Sequence, residues 1–457
     1  MSTARRVLAG AGACALLALA CACASDTAQR RDTPAEERDI LNRQERVSSV
    51  GSEFPLLWDA EVLGVLRRTG AEIALAVGAP ADAYHFYVID KPVLNAFTSP
   101  TGDIFFFTGQ LAAMRSTSEL AGVLAHEIAH VQAGHYERIS RSASLGTIPA
   151  LAAIILSGGD PAVFAGALAL LESYQLSFSR DMETEADRLS IIYLRQTPYD
   201  PRGLLGAMQL IETGERLMPY GAPEALRTHP LTSSRIGALE DGLGLLPGET
   251  YRPAPDPEWD RVRAILLALD DPGKALREFG ERAASGAAID LDLLGVVHAR
   301  RGDPAAAVGW FRRATAAAPG EARYAIDLGT ALWALGDTAG ARAELDRALR
   351  LPGGAAGSFP HFVLGEIART EGRQVEALSR YARAVELGPP LPEAHYQYAL
   401  ALSTAGRLGE ADFHFARAAG LRGDYVGALA SYRRAREQLG ADPAWSARID
   451  AALSRME

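Results

Sequence analysis

Two histidines four residues apart, with a glutamate directly after the first, are the residues of this chain best suited to chemistry: His126-Glu127-Ile128-Ala129-His130. The run around them predicts a helix, and four residues make about one helical turn, so both imidazoles project from one face. That is the separation a single tetrahedral zinc ion needs from two nitrogen ligands. Glu127 points to the side of the pair, outside the ligand set, where it can take a proton from a water and later deliver it to a leaving amine. The bland alternative is a helix with two unrelated histidines.

Hydrolytic zinc sites usually have three protein ligands and one open position, so a third ligand must lie elsewhere. The metzincin pattern needs His at position 136 and Gly at 133, where this sequence has Tyr136 and Ala133. His135 is five residues past His130, turned well round a continuous helix, which favours packing or solvent. Further on, Ser179-Arg180-Asp181-Met182-Glu183-Thr184-Glu185-Ala186-Asp187 is the better candidate. As a helix it places Glu183 and Asp187 on one face, one to ligate and one to orient a ligand histidine through its second ring nitrogen. Taken alone, a solvated acidic turn reads equally well.

The elements that must position these groups follow from periodicity. A polar helical lead covers Pro34 to Arg46, and Leu56 to Val77 has apolar residues at helical spacing. Tyr84 to Ile89 and Asp103 to Phe107 are β-branched or aromatic runs separated by Pro92, Pro100 and Gly102, and predict strands of a small sheet. Ser116, with Glu119 three residues on, is a capping box that opens the helix bearing the histidines. Between Ser144 and Leu171 the one charged residue is Asp160, in the turn Gly158-Gly159-Asp160-Pro161, which predicts two apolar helices in a buried hairpin or at a membrane surface.

The second half repeats itself. Gly295 precedes Ala307, Phe311, Ala314 and Pro319 at tetratricopeptide intervals, and Gly329 begins the next unit with Ala341, Leu345 and Ala348. Gly365, Ala377, Tyr381, Ala384 and Pro389 make a third unit, and Ala399, Gly406, Ala411, Phe415 and Ala418 a fourth. A last set, Gly423, Ala428, Tyr432 and Ala435, follows so closely that one helix serves two units or the end is an atypical cap. A degenerate leading unit surrounds Ala275 and Phe279. The aromatics are expected in the core, with function in the groove. The fold class is thus mainly α: an α-helical zinc-site domain with a small sheet at about 34–246, a proline-rich linker at 247–257, and a tetratricopeptide solenoid at 258–457.

At 457 residues, 48% hydrophobic and 22% charged, the chain has the balance of packed globular domains. Its formal charge of -10, with no basic cluster, sets nucleic acid aside. Residues 1–24 read as an export signal: Arg5 and Arg6, an apolar run from Val7 to Ala20, then Ala20-Cys21-Ala22-Cys23-Ala24. A lipoprotein cut before Cys21 or Cys23, or an ordinary cut after Ala24, fits that segment. With Cys14, all three cysteines lie inside it, so no disulfide is expected in the mature domains.

HExxH with a downstream ExxAD, preceded by Leu94-Asn95-Ala96-Phe97 and Gly102, resembles the gluzincin peptidases that include the CAAX prenyl protease and the bacterial membrane heat-shock protease. The exported architecture and repeat tail are most similar to that family's periplasmic branch. The resemblance implies one zinc per chain on His126, His130 and Glu183, Glu127 as catalytic base, and Asp187 as the supporting carboxylate. It implies that His229, in Thr228-His229-Pro230, is an autoinhibitory fourth ligand, with Arg235 supporting the site; an ordinary loop histidine is the alternative. It casts Asp103 to Phe107 as the edge strand to which a substrate adds; an interior strand is the alternative. It further implies a periplasmic endopeptidase, lipid-anchored if Cys21 or Cys23 is acylated, whose clients are unfolded or misfolded envelope proteins. The repeats would bind those clients or the outer-membrane β-barrel assembly machinery. The rival from another class is a chaperone or scaffold with an idle or His229-capped site.

Overall fold

In this computed structural model the described residues are 35–142, 178–217, 233–244, 251–354, 357–388 and 390–454. The export segment with Cys21 and Cys23, the apolar stretch from Ser144 to Leu171 and the turn containing His229 lie outside them. Among the described residues no helix is long and apolar enough to cross a membrane.

Helices α1 (Ala35–Glu53) and α2 (Ala60–Ala76) come first. The second begins at Ala60 instead of Leu56 because Leu56 bridges to Ile89 and the Leu57 amide donates to the Val88 carbonyl. Asp59 then caps the helix, accepting from the amides of Glu61 and Val62. Strands β1 (His85–Ile89), β2 (Ala96–Thr98) and β3 (Asp103–Phe107) form one sheet in the order β1-β3-β2, with β1 parallel and β2 antiparallel to β3. Gly102, at φ 83°, makes the tight turn into β3.

This order corrects one expectation: Asp103 to Phe107 is the central strand. All five of its residues are buried, as a strand covered on both faces requires. Ile104 and Phe106 pack with Phe86, Val88 and the apolar stripe of α2. Phe105 and Phe107 pack with Tyr87, Ile89 and Ile40, Val47 and Val50 of α1. Since residues 55–57 cover β1, the open edge among the described residues belongs to β2.

Helices α3 (Thr108–Ala113), α4 (Thr117–Gln132), α5 (His135–Ser142), α6 (Arg180–Leu194), α7 (Gly203–Leu217) and α8 (Ser233–Leu243) complete the first half. The array follows as helix pairs: α9 (Pro257–Asp270) with α10 (Pro272–Ala283), α11 (Ala288–Arg300) with α12 (Pro304–Ala317), and α13 (Ala322–Ala334) with α14 (Thr338–Arg350). Next come α15 (Ser358–Thr370) with α16 (Gln374–Glu386), α17 (Pro392–Thr404) with α18 (Leu408–Leu421), and finally α19 (Tyr425–Leu439) and α20 (Pro443–Ser454). A Cβ on Gly295 would lie 2.5 Å from the Phe311 ring and one on Gly365 2.6 Å from Tyr381, so glycine lets each pair close over its aromatic. Phe311, Tyr381 and Tyr432 are buried as expected, whereas Phe415 is only partly covered, edge-on to Tyr396. Ala275 and Phe279 are fully buried in a leading pair, and α18 packs against both α17 and α19, so one helix does serve two units.

The array is fastened to the first half at both ends. At its start, Trp259 is fully buried and its indole N–H donates to the Met114 carbonyl at 2.9 Å. Glu61 on α2 receives Arg261 at 2.7 Å, Arg300 at 3.1 Å, and Arg323. Towards its end, the Tyr87 and Tyr425 hydroxyls are 2.8 Å apart, and Gly423 leaves room for the Trp58 ring.

Within the array, His395 and His414 stack with their Nδ1 atoms 3.0 Å apart. Burial pushes His414 down to about 3, with Arg448, Arg417 and Arg407 adding to the effect; burial, then His414 and Arg417, likewise hold His395 well below its usual value. Both are therefore neutral in the fold but take up protons near 6.5 once unfolded. Their contribution to stability is fully present above that pH and is lost as the pH falls toward about 3, with a slope of about 1.4 kcal/mol per pH unit per group. The urea midpoint is expected to fall between about pH 7 and about pH 5, and a His395→Phe/His414→Leu double variant should show a flatter profile over that range.

Candidate metal centre

Helix α4 runs without a break because Ser116 caps it, accepting from the Glu119 amide at 3.2 Å, and because no proline interrupts it. A Cβ on Gly122 would lie 2.5 Å from the Leu204 backbone, so glycine there seats α7 directly against α4. Helix α6, capped by Ser179, packs along the same helix and brings its carboxylates to the histidines.

The outcome is a buried triangle. The Nε2 atoms of His126 and His130 are 3.0 Å apart, and the two Glu183 oxygens lie 3.4 Å from His126 and 3.5 Å from His130. Two donors at tetrahedral angles, each about 2.0–2.1 Å from one zinc ion, are about 3.3 Å apart, so this donor set fits the ion in chemistry and in spacing. The three side chains are 5%, 0% and 1% exposed and form a group able to hold a metal. Glu127 is 2% exposed on the same helix and outside that group.

Asp187 lies 3.0 Å from Nδ1 of His126, the ring nitrogen opposite the triangle. Arg235 from α8 donates to both Asp187 oxygens at 2.8 Å and lies 2.6 Å from Glu183. Burial works against the charge on each of these groups, and their mutual contacts outweigh it. Thus Asp187 is held below the usual carboxylate range by Arg235 and His126, and hydrogen bonds to Asp187 and Glu183 raise His126 to about 9. His126, Glu127, His130, Glu183, Asp187 and Arg235 are thereby brought together, all buried.

His135 packs against this cluster without joining the metal-holding group, in keeping with the expectation of packing. Helix α4 ends at Gln132, Gly134 turns the chain at φ 62°, and α5 restarts at His135. His135 is thus folded back, fully buried, with its Nδ1 2.9 Å from Nδ1 of His130 and its Nε2 3.3 Å from Glu185. Glu185 is in turn 2.6 Å from Arg138. Each histidine of the triangle therefore has a partner on its second nitrogen. Phe178 lies over the His130 ring with centroids 3.9 Å apart, and the Tyr136 hydroxyl donates to the Thr98 carbonyl of β2. Burial, with Glu127 and Glu183 adding to it, pushes the Tyr136 hydroxyl well above the usual range. Gly134 was the sequence signal for this turn. If His135 holds the His130 ring in place, His135→Ala should weaken metal binding by about 10- to 100-fold, read by competition against a chelator of known affinity.

An HExxH helix packed against a second helix that carries ExxAD, with Arg235 binding its two carboxylates, agrees with the gluzincin resemblance drawn from the motifs. Residues 63–242 match the model of Peptidase family M48, which bears out the resemblance drawn from these motifs. A Yersinia pestis protein named beta-barrel assembly-enhancing protease is 31% identical over 256 residues, 54% of this chain and 51% of that one. Its Escherichia coli (strain K12) namesake is 30% identical over 198 residues, 42% and 40% of the two chains. The mitochondrial metalloendopeptidase OMA1 of Schizosaccharomyces pombe is 35% identical over 172 residues, 37% of this chain and 50% of that one. The chain thus spans about half the length, or less, of the curated relatives it matches. Among solved structures, MamA aligns with 37% of this chain and 96% of its own at 19% identity and a TM-score of 0.30.

Proposed function

We propose that this chain is a zinc-dependent endopeptidase of the bacterial periplasm that degrades misfolded or stalled outer-membrane proteins, with its repeats binding those clients or an assembly machine. The observation that carries the reading is the buried His126, His130 and Glu183 triangle with Glu127 beside it. The similarity to proteins named beta-barrel assembly-enhancing protease supports the choice of client.

Zinc held there supplies Lewis acidity to the scissile carbonyl and makes a water acidic enough to attack near neutral pH. Glu127 takes the proton as the water oxygen bonds to the carbonyl carbon, then passes it to the amine nitrogen as the C–N bond breaks. Asp187 and His135 hold His126 and His130 in orientation, and Arg235 offsets the charge of Asp187 and Glu183. A substrate strand would add to the open edge of β2. There the Ala96 amide is bonded to the Asn95 side chain and the Thr98 carbonyl to Tyr136, so both contacts must yield to it.

Cleavage of an unfolded outer-membrane protein by the purified chain, with bound metal counted, tests the reading. Zinc-dependent cleavage supports it. One bound zinc with no cleavage of any unfolded substrate sinks it and leaves a scaffold. Higher activity in His229→Ala would establish the expected plug, and loss of radiolabelled lipid in Cys21→Ala or Cys23→Ala would locate the anchor.

A further inference from the structure

Near the end of the array a cavity of about 600 Å³ opens between α16, α17, α18 and α20. Tyr398, Phe413 and Trp445 supply apolar wall, and three guanidinium groups converge on it, those of Arg407, Arg417 and Arg448. Arg407 is neutralised by Glu410, with two contacts of 2.6 Å. The other lining carboxylate, Glu386, is engaged by Arg383 at 3.1 Å.

Among the described residues, neither Arg417 nor Arg448 has a carboxylate partner. Most of the other array arginines are tied to Asp or Glu. Arg448 is nevertheless held in place, 4.3 Å over the Trp445 ring and 5.3 Å from Phe413. The paired imidazoles of His395 and His414 line the same cavity in neutral form, so the positive charge there is that of the arginines. Unpaired like charges lining one cavity, as Arg417 and Arg448 do, are unfavourable until an anion joins them.

An ordered, unpaired guanidinium beside aromatic rings matches a carboxylate next to an apolar side chain, since the planar fork binds both oxygens while the rings take the neighbour. The volume suits a short peptide segment. We propose that this cavity binds a protein segment carrying a carboxylate beside an aromatic residue, with Arg417 and Arg448 holding the carboxylate. Its source is an Asp or Glu side chain or a chain terminus. The proposal does not depend on the peptidase reading, because it concerns binding by the array.

The test uses the full mature chain and labelled hexapeptides followed by fluorescence anisotropy. One ends in Gly-Phe-Asp with its C-terminus amidated, one in Gly-Phe-Asn amidated, and one in Gly-Phe with a free carboxylate. At least one acidic peptide is expected to bind at least about 10-fold more tightly than the Asn peptide, and which one does so identifies the source. Arg417→Gln and Arg448→Gln should each weaken that binding by about 10- to 100-fold. Arg313→Gln removes an arginine held over Trp310 in an earlier repeat and should change nothing. Equal binding of all three peptides, or unchanged affinity in the Arg417→Gln/Arg448→Gln double variant, overturns the proposal. So does binding to phosphatidylglycerol vesicles with no binding of either acidic peptide. If a variant fails to fold, the comparison of peptides on the unaltered chain still decides.

Discussion

Glu127→Gln is expected to lower turnover of an unfolded protein substrate by about 100- to 10,000-fold while leaving one metal ion bound. Glutamine keeps the shape of the side chain and removes its basicity. Because glutamine is isosteric with glutamate and Glu127 lies outside the three-residue ligand group, the change should spare both folding and metal affinity. Loss of kcat with little change in KM would separate a proton-transfer role from substrate binding. Turnover within a few-fold of the unaltered chain would mean that the proton goes elsewhere, and the mechanism built on Glu127 would fall.

Arg235→Met should be the most destabilising single change around the site, costing about 3–5 kcal/mol in urea unfolding of the metal-free protein. Arg235 is 4% exposed and is shared by Asp187, at 2.8 Å from each oxygen, and Glu183, at 2.6 Å. Without it two buried carboxylates on successive turns of α6 face each other with only the His126 imidazole to offset them. Arg235→Lys keeps the charge and loses the fork, so an intermediate cost is expected. Excess zinc should narrow the gap, since an ion that binds only the folded chain restores stability by mass action. A cost below about 1 kcal/mol would show that the arginine is incidental.

The local parts of this molecule were legible because their signals are local. Ser116, the uninterrupted helix after it and the four-residue interval from His126 to His130 set one half of the metal centre within a single element. Glu183 was legible as a ligand only through resemblance, since spacing alone left it on an acidic turn. Packing was the expected fate of His135, but its contact with His130 was not legible, because counting five residues assumes one continuous helix and Gly134 ends that helix. Asp103 to Phe107 was misplaced for a related reason: five buried positions are the mark of a central strand, but what covers its second face lies far along the chain. Tyr87 and Tyr425, 338 residues apart, meet across that face, and no periodicity reports such a contact. The 34-residue repeat, by contrast, set the helix pairs and their buried aromatics, because each unit contacts mainly its neighbours.

The carboxylates that α2 sends into the start of the array bear on what the repeats can hold. Asp59 lies 2.6 Å from Arg300, and Glu61 meets Arg261, Arg300 and Arg323. Tethered to the same chain, these two acids act on those arginines at an effective concentration of order millimolar or above, which a free acidic peptide would have to exceed. Any acidic guest of the first repeats would therefore have to displace Asp59 and Glu61, and selectivity for such a guest would pass to whichever cations the chain has not already answered for itself.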